Sequence, residues 1–176
     1  MLNNKSTLIA LLSAAVLTAC GGGGGDGTAV DARTKYVGTW TSGCDNDGPN
    51  FYVKSSITLR TQGAADLVGD YSEKNYNDSN CTDQKTGEWA GDSWTNTYSF
   101  VGSTQNLDGG GVADKVRMTL PDDEYAGQTF AAILYTADNK LWTKYNDPDI
   151  PDSNENLDGE FPKAIDPDNH MTKVSN

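Results

Sequence analysis

The sequence predicts an all-β domain, an antiparallel up-and-down meander that closes into a barrel of about eight strands. Three observations carry that prediction. Apolar residues recur at every second position in two clear runs, turn-forming clusters punctuate the chain, and no long amphipathic helix follows residue 19. With 176 residues, 36% of them hydrophobic, 19 Gly and four Trp, the chain has room for one compact, turn-rich domain.

The first candidate strand, residues 38–42, centres on Trp40. In the second, Val53, Ser55, Ile57 and Leu59 alternate with Lys54, Ser56, Thr58 and Arg60. Gln62-Gly63 turns the chain into residues 66–76, and Asn77-Asp78-Ser79-Asn80 leads towards candidates at 88–94 and 96–101. Asp108-Gly109-Gly110-Gly111 precedes a run in which Val116, Met118 and Leu120 alternate with Lys115, Arg117 and Thr119. Pro121-Asp122-Asp123 and Asp138-Asn139 bound a strand at 128–136, and residues 140–145 complete the set. Period two with one polar face means an antiparallel sheet half exposed to water. A meander of this size with no covering helix gains by closing on itself, because closure removes exposed edges. A two-sheet β-sandwich satisfies the same periodicity. The barrel domain is therefore placed at residues 36–145. Residues 146–176 carry eight acidic residues and Pro148, Pro151, Pro162 and Pro167, so an irregular acidic tail is expected there. Its island Glu160-Phe161-Pro162-Lys163-Ala164-Ile165-Asp166 has enough apolar surface to dock on the barrel, and an ordered crossing is expected there.

Ahead of the domain, Lys5 and an apolar run ending Leu17-Thr18-Ala19-Cys20 have signal-peptide length and are too short to form a stable membrane span. The four residues resemble the lipobox of bacterial lipoproteins. That resemblance implies removal of residues 1–19 and lipidation of Cys20, with a diacylglycerol on its sulfur and an acyl chain on its new amino group. Two or more chains hold a protein at a bilayer, since each buried methylene contributes about 0.8 kcal/mol. The expected partner of this end is thus a membrane, and the expected location is the cell envelope. Gly21 stands where the best-known inner-membrane retention signal has Asp, which favours the outer membrane if the organism has two. The Gly-rich stretch within residues 20–35 reads as a flexible tether of about 20 Å.

Charge and cysteine usage narrow the chemistry. The net charge is −12, and removing residues 1–19 takes away one basic residue, Lys5, to leave −13. Such a surface repels phosphates, so nucleic acid is not an expected partner. Lipidation of Cys20 leaves Cys44 and Cys81 as a pair, expected to form a disulfide in an oxidising compartment. His170 is the single His, and no Gly-x-Ser-x-Gly elbow, P-loop or Cys-x-x-Cys occurs, so no catalytic residue, cofactor or metal site is assigned and the chain is not read as an enzyme. The acids at Asp45-Asn46-Asp47-Gly48 and from Asp147 through Asp158 do not keep EF-hand spacing and read as solvated turns.

Tyr36-Val37-Gly38-Thr39-Trp40 carries Gly-x-Trp at the start of the first strand, which resembles the opening of the lipocalins. The resemblance implies that Gly38 permits tight packing and that Trp40 plugs one end of the barrel beneath a late basic side chain: Lys144, Lys163 or Lys173. Trp40 before Cys44, the segment Tyr76-Asn77-Asp78-Ser79-Asn80-Cys81-Thr82 and the closing Pro162-Lys163-Ala164-Ile165-Asp166 are also similar to small lipocalin-like bacterial lipoproteins of unassigned function. That second resemblance supports the Cys44 to Cys81 pairing and brings no activity with it. The aromatic surplus, including Trp94, Tyr52, Tyr71 and Tyr135, either fills the interior or lines a cavity. Trp40, Trp89, Trp142, Tyr98 and Phe130 are the candidates to touch a ligand. The expected function is an envelope lipoprotein binding a small apolar or amphipathic ligand. The alternative is a structural or protein-binding envelope module with a filled barrel.

Overall fold

The computed structural model describes residues 31–120, 127–146 and 161–174. The leader, Cys20, the turn at Pro121-Asp122-Asp123 and the acids from Asp147 through Asp158 lie outside the described residues.

The strands are β1 (Gly38–Thr41), β2 (Asp45–Gly48), β3 (Phe51–Gln62), β4 (Asp66–Tyr76), β5 (Ser93–Asn106), β6 (Val112–Thr119), β7 (Thr129–Ala137), β8 (Lys140–Tyr145) and β9 (Met171–Lys173). All neighbours are antiparallel, and β1 and β2 lie end to end along β3: Gly38 pairs with Leu59 and Asp45 with Val53. They share one position, so the wall is a closed barrel of eight strands, lipocalin-like in architecture. Because β9 pairs with both β8 and β1, the sheet has no open side, and the sandwich is not formed.

Local chemistry explains most of these elements. Asp138 and Asn139 both adopt left-handed φ, 51° and 58°, which suits the two-residue hairpin between β7 and β8. Alternation puts Ile57, Leu59, Leu67, Tyr98, Val116, Met118, Phe130, Leu134 and Leu141 in one interior cluster. A separate cluster, Leu107, Ala113 and Ile133, faces outward and is covered by Phe161 and Ile165. Lys115 and Arg117 stand 5.1 and 5.0 Å from the Phe161 ring, so the acidic tail is held by apolar burial and by cations over an aromatic face.

Four details depart from the sequence reading. The candidates at 88–94 and 96–101 are not two strands: Gly87–Trp89 is a 3-10 turn, and Ser93–Asn106 is one strand, β5. The expected solvated turn at Asp45–Gly48 is a short strand, β2, because it meets the start of β3. The tail crosses irregularly over residues 161–170 and then supplies β9, where the Pro-free run Met171-Thr172-Lys173 can pair on both sides. The tether expected through Lys35 ends sooner. Asp31 caps a 3-10 turn at Ala32–Lys35, and the Arg33 guanidinium donates to the carbonyls of Gly63 (3.1 Å) and Asp66 (3.0 Å) on the β3–β4 turn.

Candidate ligand-binding site

The strand directions give the barrel two ends. The floor carries the tight β3–β4, β5–β6 and β7–β8 turns and the 3-10 turn before β1. The mouth carries the two-residue β2–β3 turn and the long connections after β4, β6 and β8.

The floor is plugged by Trp40, 2% exposed, whose indole Nε1 donates to the Tyr36 carbonyl at 2.8 Å. Lys173 Nζ lies 5.1 Å from the centre of the Trp40 ring, so Lys173 is the late basic cover among the three candidates. Gly38 has φ 131°, and a Cβ there would stand 2.9 Å from Lys173 Cε. The backbone angle favours glycine, and a Cβ would also press on the flexible end of Lys173. The Tyr36 hydroxyl sits 2.7 Å from the Leu134 carbonyl and 2.8 Å from Asp114 Oδ2, and Lys35 Nζ pairs with the same carboxylate at 2.8 Å. Burial raises the Tyr36 phenol far above its ordinary range, so it is a neutral donor.

The mouth half encloses a cavity of about 470 Å³. Its aromatic walls are Tyr71, Trp94, Tyr98 and Tyr145, and its apolar walls are Ile57, Met118, Leu120 and Met171. Asp92, Asn96, Thr143 and Asn169 supply the polar lining. Tyr71 and Trp94 are cross-strand partners with ring centres 4.2 Å apart, and together they form a flat wall. Deeper, Gly69 makes room for Tyr98: a Cβ there would lie 2.8 Å from Ile57 Cδ1 and 3.1 Å from the Tyr98 ring. Burial pushes the Tyr98 phenol up to about 12 and raises that of Tyr71, so both are neutral at ordinary pH.

Asn96 is the anomaly of this surface. It is 5% exposed, its Nδ2 reaches the Tyr98 hydroxyl at 3.4 Å, and its Oδ1 has no hydrogen-bond partner. A buried acceptor left unpaired costs about 1–3 kcal/mol. Above it, the acids of the rim crowd one another. Glu73 is raised from its ordinary carboxyl range by burial first, and then by the negative charges of Asp47 and Asp92.

The Cys44–Cys81 disulfide is formed, with Cα atoms 5.8 Å apart. It ties the bend between β1 and β2 to the β4–β5 connection, which forms one side of the mouth. Asp78 organises that connection by accepting from the Thr82 and Asp83 amides at 2.9 and 2.8 Å. These bonds hold its carboxyl below the usual range, with the Asp83 amide contributing most.

The five aromatic candidates separate in space. Tyr98 lines the cavity, and Phe130 lies in the interior cluster, edge-on to Tyr145 at 5.8 Å. Trp40 belongs to the floor. Trp142 faces outward beneath the tail, between Tyr135 and His170, beside a smaller cavity of about 260 Å³. Trp89 is 61% exposed on the 3-10 turn, away from the interior. The residues that sequence reasoning passed over are Asn96, Tyr145, Met118, Leu120 and Met171. Parity places three of them, since Trp94, Asn96 and Tyr98 share a face of β5, and Met118 and Leu120 share the apolar face of their run with Val116.

No protein-family model, curated protein or solved structure gives a significant match to this chain, so the geometry of the barrel is what bears on its function.

Proposed function

We propose that this chain is a lipid-anchored protein of the bacterial cell envelope that holds a small apolar or amphipathic ligand in the mouth half of a lipocalin-like barrel. The observation that carries the proposal is the cavity. It offers about 470 Å³ between aromatic and aliphatic walls, and Asp92, Thr143, Tyr145 and Asn169 extend it to solvent. Ligand pockets have this size and this mostly apolar lining with a few polar groups. In this reading the protein is a carrier and performs no chemistry on what it holds. The anchor rests on the Leu17-Thr18-Ala19-Cys20 run and the apolar stretch before it.

Native mass spectrometry of the detergent-free protein, with titration by the neutral apolar fluorophore N-phenyl-1-naphthylamine, tests the binding. A retained small molecule or saturable one-to-one uptake, weakened about tenfold by Trp94→Ala, is expected. The absence of both would defeat the proposal. For the anchor, Cys20→Ser should move the protein out of the detergent phase; a normally processed variant that stayed there would defeat that part. The exposed Trp89 favours a second reading, contact with an envelope protein through the β4–β5 connection. Under that reading Trp89→Ser would abolish co-purification of the partner and leave fluorophore uptake intact.

A further inference from the structure

The proposed cavity carries more chemistry than an apolar ligand would use. Its one unpaired buried polar atom is an acceptor, Asn96 Oδ1. That atom belongs to a side chain 5% exposed within the lining, with Gly69 as its cross-strand neighbour and Trp94 two residues nearer the mouth. The chain already shields this acceptor from water, and a hydrocarbon ligand would leave it unsatisfied. A ligand that donates a hydrogen bond at that depth would satisfy it.

The charges around the opening decide what kind of donor is favoured. Among the described residues, Asp92 is the charged residue of the lining, and neither Lys nor Arg is part of it. Asp47 and Asp92 each stand close enough to Glu73 for their negative charges to act on its carboxyl. A cleft lined by one sign of charge and walled by low-dielectric surface concentrates the opposite sign. The Tyr71 and Trp94 faces between the rim and Asn96 attract cations as well. An anionic amphiphile meets the reverse of each of these terms.

Resting on the binding reading above, we infer that the ligand is an amphipathic ammonium compound, its N–H donated to Asn96 Oδ1 and its apolar part held between the aromatic walls. The ammonium group combines the donor that Asn96 lacks with the positive charge that the rim favours.

Calorimetric titration of the full folded domain with three probes of one chain length, decylammonium, 1-decanol and decanoate, tests this at neutral pH. Decylammonium is expected to bind about tenfold more tightly than decanol, and decanoate to bind most weakly. Asn96→Leu removes the acceptor and leaves every surface charge in place. It should weaken decylammonium about tenfold and leave decanol within about threefold. Asp92→Asn should reduce the preference for decylammonium by about threefold. If decanol matches decylammonium in the wild type, or if decanoate binds best, the ammonium inference falls and the carrier reading stands. Retention of the full preference in Asn96→Leu would show that surface charge alone draws the amine in, and would also overturn the inference. Failure of all three probes and of the neutral fluorophore would overturn the carrier reading, and this inference with it. Should Asn96→Leu fail to fold, the ranking of the three probes on the wild type decides the matter alone.

Discussion

At the floor of the barrel, every group around Trp40 has a use within the fold. Its indole is bonded to the Tyr36 carbonyl, its face is covered by Lys173, and the Tyr36 hydroxyl reaches Leu134 and Asp114. At the mouth, Asn96 keeps an unpaired oxygen, Tyr145 is 39% exposed, and Asp47 and Asp92 both repel the Glu73 carboxylate. Both ends are built from aromatic and charged residues on the same eight-stranded wall, so composition does not distinguish them. What distinguishes them is satisfaction. The floor has its interactions completed by the chain itself, and it therefore stabilises; the mouth leaves them open, and it is therefore available to something else.

Substitutions at the two ends should separate accordingly. The largest effect is expected at Trp40→Ala, which empties the floor and should cost about 3–5 kcal/mol, seen as a fall of about 10 °C or more in Tm. Trp94→Ala, the equivalent truncation at the mouth, should cost about 1 kcal/mol or less while weakening ligand uptake. Equal losses of Tm at the two sites would break the comparison. Reducing the Cys44–Cys81 bridge should cost about 2–5 kcal/mol, because it frees a 37-residue separation from its closure. An unchanged denaturation midpoint would mean that the mouth needs no staple. Gly38→Ala is expected to cost about 1–3 kcal/mol, since the new residue inherits φ 131° and crowds Lys173.

Asn96→Leu should cost little. It removes a buried unpaired acceptor but also the donor to the buried Tyr98 hydroxyl, two opposing effects of about 1 kcal/mol each, so Tm is expected to stay close to that of the wild type even as the variant loses the amine. A lower Tm would sharpen the comparison by showing that the bond to Tyr98 matters more than the orphan oxygen. The smallest effect concerns pH. Glu73 has a folded-state pKa above its ordinary value, so its favourable contribution is complete below that value and is lost as pH rises through the raised one. The Tm of the wild type should therefore fall relative to Glu73→Gln as pH climbs from the ordinary carboxyl value towards neutrality. A parallel pair of curves would mean that the rim acids do not strain the mouth.

Much of the wall was legible because strand periodicity is local. Val53 to Arg60 and Lys115 to Leu120 announce their inner and outer faces residue by residue, and Asp138-Asn139 announces its hairpin. Two short strands, β2 and β9, were not legible. Asp45–Gly48 has no apolar residue, and Met171–Lys173 follows a Pro-rich acidic stretch, so neither carries a signal until a neighbouring strand offers its edge. The candidate site was legible in part. Aromatic surplus pointed to the interior and Tyr98 is there, but Trp89 and Trp142 are equally aromatic and lie outside it. A side chain's residue type reports what it would gain by burial; which surface buries it depends on strand parity and on what crosses above. Trp142 is covered by the tail over residues 161–170, a contact between segments far apart in the chain.

By itself the sequence determined the class of the fold, the opening Gly-x-Trp and the pairing of Cys44 with Cys81, since each follows from short-range pattern or from a count. Only the tertiary structure decided that Lys173 is the residue over Trp40, that β9 closes the wall, and that a cavity survives above Tyr98 with an unpaired oxygen in it. Closure and cavity are sums over all eight strand positions, of tilt, register and side-chain volume, and no local stretch of chain contains that sum.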